Sequence, residues 1–153
     1  MKAITLSLML ALVFVSCSKN DKRPPKIYPT VEPEFSIVTK YLDSQHLKWH
    51  QSGYCMVGVD DDNTPWTTWV SYNPSQRILV VISLMGDCHS EFDSVLFNSV
   101  RNRHLDATLI SDGKQVWLRT TRSGKLTLEM FDVAFTAHSQ ASNEYYFKLF
   151  PWK

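Results

Sequence analysis

The sequence predicts an α+β domain over residues 34–153, in the order helix, three-stranded antiparallel meander, helix, two-stranded hairpin, C-terminal helix. Three observations carry this expectation. Apolar residues recur at helical spacing over residues 31–45 and again over 127–149. Between them lie runs rich in aromatic and β-branched residues, separated by the turn signals Asp60-Asp61-Asp62-Asn63-Thr64-Pro65 and Asn73-Pro74-Ser75. Asp112-Gly113 then divides two further runs, as a tight hairpin requires.

The first helix places Val31, Phe35, Val38 and Leu42 on one stripe, with Pro33 tolerated only in its first turn. The period then changes. Residues 49–59, 66–72 and 77–85 read as three strands. The third, with Ile78, Leu79, Val80, Val81, Ile82 and Leu84, is apolar on both faces, which suits a central strand or one covered by helices. Ser90 caps a second helix over 91–102, carrying Phe92, Val95, Leu96 and Val100. Residues 105–110 and 115–121 form the hairpin. Thr127 caps the last helix, whose stripe is Leu128, Phe131, Phe135, His138, Ser142, Tyr145 and Leu149.

The first sixteen residues have the layout of a secretory signal. Lys2 supplies the charge, Ile4–Val15 the short apolar core, and small Ser16 precedes Cys17. The core has about a dozen residues, against roughly 20 for a membrane-spanning helix. The junction Phe14-Val15-Ser16-Cys17 resembles the lipobox of bacterial lipoproteins, with Phe14 where Leu is usual. That resemblance implies a diacylglycerol on the Cys17 sulfur, cleavage before Cys17 and stable anchoring in a lipid bilayer by two or three acyl chains. The alternative is an ordinary secretory signal with an incidental cysteine. Ser18 stands where some bacteria place an Asp that retains lipoproteins in the inner membrane, which favours an outer-membrane anchor facing the periplasm. Residues 17–33, polar and proline-rich, read as a tether that cannot bury enough apolar surface to fold.

Removing residues 1–16 takes away Lys2 alone among the charged residues and leaves fifteen Lys and Arg against fifteen Asp and Glu. With no long basic or acidic block, the charge pattern does not point to nucleic acid.

The chemistry-bearing residues select no reaction. Asp87-Cys88-His89 and the pair His46 and His50 lack the spacing of a zinc site and read as a loop and surface histidines. Residues 60–63 lack the alternation of a calcium loop and read as a hairpin turn. No nucleophile elbow or phosphate loop is present, and the expectation is a protein without catalytic activity, metal or other cofactor. Cys55 in the first strand and Cys88 after the third are about two strand spacings apart in a simple meander, too far for a disulfide. A bridge between them requires the 86–90 loop to fold back or a different strand order.

The aromatics are the candidate binding residues. Trp66 and Trp69 lie on opposite faces of one strand, so one enters the core and the other must find separate cover or a partner. On the last helix Tyr145 continues the buried stripe, which leaves Tyr146 as a candidate contact at the surface. Phe147, Phe150 and Trp152 pose the same question.

The element order, the Val59-Asp60-Asp61-Asp62-Asn63 turn, the segment Leu105–Gly113 and the opening Leu126-Thr127-Leu128-Glu129-Met130-Phe131 of the last helix resemble the YbjN-type family, over roughly residues 34–150. That resemblance implies the fold of type III secretion chaperones and a protein partner bound on an exposed sheet face or helix, often by a homodimer. The leading expectation is thus a protein-binding lipoprotein of the bacterial envelope, chaperone- or adaptor-like. The second is a periplasmic inhibitor or immunity-type lipoprotein that uses Asp60-Asp61-Asp62 and Trp66 to block an enzyme.

Overall fold

A computed structural model describes residues 33–60, 64–87, 94–101 and 103–149. The expected signal, the expected tether as far as residue 32, Cys88, His89 and the last four residues lie outside them. The described elements are helix α1 (Ser36–Ser44), strands β1 (Lys48–Gly53), β2 (Met56–Asp60), β3 (Thr67–Asn73) and β4 (Ile78–Asp87), helix α2 (Ser94–Val100), strands β5 (Ala107–Ser111) and β6 (Gln115–Ser123), and helix α3 (Leu128–Leu149). The strands form one antiparallel sheet in the order β1-β2-β3-β4-β6-β5. The expected α+β order of helix, meander, helix, hairpin and helix is the order observed.

The meander has one strand more than expected. Residues 49–59 are not a single strand: Trp49 pairs with Val59, and Gly53 pairs with Met56 across the two-residue turn Tyr54-Cys55. An unbroken strand over these residues would run roughly 36 Å, well past the seven-residue β3 beside it. Folding back gives both halves a partner and turns Trp49, Val57 and Val59 toward the same core. Tyr54 and Cys55 are not turn-forming residues, so only Gly53 marked the break.

Helix α1 begins at Ser36 rather than residue 31, after a turn over 33–35 in which the Ser36 hydroxyl donates to the Pro33 carbonyl at 2.7 Å. The helix ends in a Schellman motif. The Leu47 N–H donates to the Leu42 carbonyl and the His46 N–H to that of Asp43, with His46 at φ 55°. His46 therefore lies past the helix and His50 lies in β1, so the two histidines share no helix face. Thr127 caps α3 as expected, its hydroxyl accepting from the Met130 N–H at 3.1 Å.

All three helices pack on one face of the sheet. The first core cluster joins α1 and the start of α3 to the inner residues of β2, β3 and β4, including Phe35, Val57, Val70, Leu79 and Phe131. The second joins α2 and the end of α3 to β5 and β6, including Phe97, Leu109, Leu118 and Tyr145. The β4 strand is central, as its two-sided apolar pattern predicted: Leu79 and Val81 on the helix side are fully buried, and Val80 and Ile82 on the other are nearly so. Cys55 is buried at the β1–β2 turn, where its carbonyl accepts from the Tyr72 N–H. Tyr72 is opposite Leu79 near the start of β4, whereas Asp87 ends that strand. Mass analysis of unreduced tryptic peptides should accordingly find no Cys55–Cys88 pair, and a linked pair would contradict this strand order.

Candidate protein-binding surface

The face of the sheet opposite the helices is built by strict alternation. Strand pairing sets His50, Gly58, Trp69, Ile82, Arg119 and Thr108 side by side in one row across all six strands. Met56, Ser71, Val80 and Thr121 form the row on one side of it. On the other side Trp117 stands between Leu84 and Ile110. Among the described residues no helix covers this face. Its centre is apolar, with Trp69, Trp117, Leu84, Ile110 and Met56 all half-buried. Polar groups sit toward the β1 edge, where the His50 Nδ1 is 3.4 Å from the Asp60 carboxylate and both side chains are half exposed.

Gly58 makes the centre of this face possible. The His50 and Trp69 rings meet over it edge to face, with centroids 5.3 Å apart. A Cβ at Gly58 would lie 2.5 Å from the His50 Cε1 and 3.0 Å from Trp69 Cζ3, so no side chain fits beneath the pair.

Trp66 stands on the helix side. Its ring packs against Tyr146 with centroids 4.7 Å apart, and both residues extend the second core cluster. The structure therefore brings Trp66 and Tyr146 together and sets Trp69 on the opposite face. Tyr145 is fully buried, as its phase on the helix requires, and its hydroxyl accepts from the His104 N–H at 3.0 Å. Tyr146, expected at the surface, is half-buried against Trp66; Phe147, 73% exposed, is the ring that reaches outward on that turn. The reason is the length of the second core, which reaches past the stripe to take in the neighbour of Tyr145.

The polar residues do structural work. Fully buried His138 receives or gives hydrogen bonds at both ring nitrogens, Nε2 to Ser83 Oγ at 2.9 Å and Nδ1 to Thr120 Oγ1 at 3.1 Å. Ser83 in turn meets Thr68 Oγ1 at 2.8 Å. Burial lowers the His138 pKa to about 3, so its ring is neutral near pH 7. Tyr41 donates to Asp132 at 2.6 Å, and burial followed by that carboxylate raises the phenol's pKa. Glu144 bonds Lys148 and His104, which hold its carboxyl below the ordinary value.

Among the described residues no three His, Cys, Asp or Glu side chains converge to hold a metal ion. A shallow groove of about 300 Å³ between α1 and α3 is lined by uncharged residues, including Tyr41, Phe135 and Gln140, with no nucleophile beside a base. Asp61, Asp62, Cys88 and His89, which entered the calcium, inhibitor and zinc readings, lie outside the described residues. Among the described residues no helix is long and apolar enough to cross a membrane.

No family model and no curated protein sequence matches the chain. Its fold is similar to that of solved structures. One is a chain of the HopA1–SchA chaperone–effector complex, at a TM-score of 0.56 and 11% identity, covering 76% of this chain and 98% of that one. Another is a chain of the ExsC–ExsE complex, at a TM-score of 0.57 and 15% identity, covering 75% of this chain and 92% of that one.

Proposed function

We propose that this chain is a membrane-anchored, non-catalytic protein-binding lipoprotein of the bacterial envelope, chaperone- or adaptor-like, which holds a protein partner on the sheet face around Trp69 and Trp117. The observation that carries the reading is that face. It is broad, apolar at its centre and polar at its β1 edge, which is the anatomy of a protein interface. Half-buried tryptophans at its centre are the residue type that most often dominates binding energy. The likeness to chains of two complexes, one of them a chaperone–effector complex, supports it. The surface is tested by capture of partners with variants of Trp69 and Trp117.

Acylated Cys17 holds the domain to the bilayer, on the periplasmic side of the outer membrane. The residues from Cys17 to Pro33 reach at most roughly 60 Å when fully extended, so the domain works close to that surface. Cys17→Ala should abolish incorporation of labelled fatty acid and leave either uncleaved precursor or unlipidated chain. Continued labelling of this variant would show that the anchor lies elsewhere.

A further inference from the structure

The two core clusters meet at a polar seam: His138 on α3, Ser83 on β4 and Thr120 on β6, with Thr68 on β3 behind Ser83. The other buried positions of α3 are Phe131, Ala134, Ala141, Tyr145, Leu149 and Ser142, whose hydroxyl donates to the Ser139 carbonyl of its own helix. The imidazole is fully buried, and both its nitrogens face hydroxyl oxygens rather than a carboxylate. We propose that this seam is an acid-released latch, in which protonation of His138 frees α3 from β4 and β6 and bares the helix side of the sheet while the strands stay paired.

The strands are joined by backbone ladders that do not involve His138. The helix is joined to the sheet by side chains, and His138 crosses between them by hydrogen bonds to two strands. An imidazolium there would face two hydroxyl oxygens and no carboxylate among the described residues, and a buried unpaired charge is among the most costly groups in a protein.

The other titratable groups of the enclosing elements do not offset it. On α3, Asp132 accepts from Tyr41, Glu144 bonds Lys148 and His104, the Tyr145 hydroxyl meets the His104 N–H, Tyr146 packs on Trp66, and Glu129 is exposed. On β6, Arg122 pairs with Asp106 at 2.7 Å and Arg119 lies on the far face. On β3 the Tyr72 hydroxyl donates to the Gly124 carbonyl, and on β4 Asp87 ends the strand beside Gln115. On α1, which packs on α3, Asp43 accepts from Trp49, Tyr41 is the donor to Asp132, and Lys40 is exposed.

The direction in pH follows from linkage. The latched ring stays neutral down to about pH 3, whereas a released one titrates near 6.5. Release therefore takes up one proton in this window. Its equilibrium constant rises about tenfold for each pH unit below 6.5 and is flat above it.

The test is hydrogen exchange of the intact chain between pH 7 and 4.5, corrected for intrinsic exchange, read separately for α3 and for β3 and β4. The expected result is loss of protection at residues 134–142 with a slope of one proton, ahead of any loss in the strands. His138→Gln should remove that slope. If α3 and the strands lose protection together, or if His138→Gln keeps the slope, the latch is wrong. Should the variant not fold, the His138 ring of the unaltered chain decides by nuclear magnetic resonance. A ring that titrates near 6.5 with α3 still protected overturns the proposal.

Discussion

Phe131→Ala is expected to lower the stability of the domain by about 3–5 kcal/mol, the cost of truncating a large aromatic in a packed core. Phe131 is fully buried in the first core cluster. Its ring meets Tyr41 edge to face at 5.1 Å and Phe135 at 5.4 Å. The contact with Tyr41 fastens α1 to α3, and Tyr41 adds its hydrogen bond to Asp132 on the same helix as Phe131. Removing the ring leaves a cavity where the two helices and the sheet meet, and none of these three can close it without moving the others. A domain of this size has only about 5–15 kcal/mol in total, so the loss should be plain in the midpoint of urea unfolding. Phe135→Ala, at a half-buried position, should cost clearly less. A loss below about 1 kcal/mol for Phe131→Ala would mean that the ring is not in the core and that the phase of α3 is misassigned.

The phase of α3 was legible in the sequence because a long amphipathic helix repeats its signal over six turns. Phe131, His138, Ser142, Tyr145 and Leu149 of the predicted stripe are buried. Leu128 departs from it, 55% exposed in the first turn, while Leu126 just before the helix takes the core position. The stripe also contained His138 without revealing its role. Its partners Ser83 and Thr120 are 55 and 18 residues away, and no local pattern links a histidine on a helix to hydroxyls on two strands.

Strand number and order were less legible for the same reason. The β1–β2 turn occurs at Tyr54-Cys55, where backbone pairing of the flanking halves outweighs the residues' own preferences. Both strands of the Asp112-Gly113 hairpin alternate, so the pattern alone does not say which of them meets β4; it is β6. That placement decides the candidate surface, because it sets Trp117 beside Leu84 on the open face with Trp69 on the other flank of β4. Trp69 is legible in the sequence by its position opposite Trp66, whereas the neighbours of Trp117 are known only once the sheet order is known.

Capture of the bound partner tests the account most directly. The intact chain and its Trp69→Ala, Trp117→Ala double variant are crosslinked in membranes, recovered and compared by quantitative mass spectrometry, with Phe147→Ala as a variant on the helix side. Circular dichroism and the unfolding midpoint establish that each is folded. Truncating a central tryptophan typically costs 2 kcal/mol or more, about thirtyfold in affinity, so the double variant should lose the specific partners of the intact chain almost entirely. Phe147→Ala should retain them. If the double variant is folded and recovers the same proteins in the same yield, the open sheet face is not the binding surface.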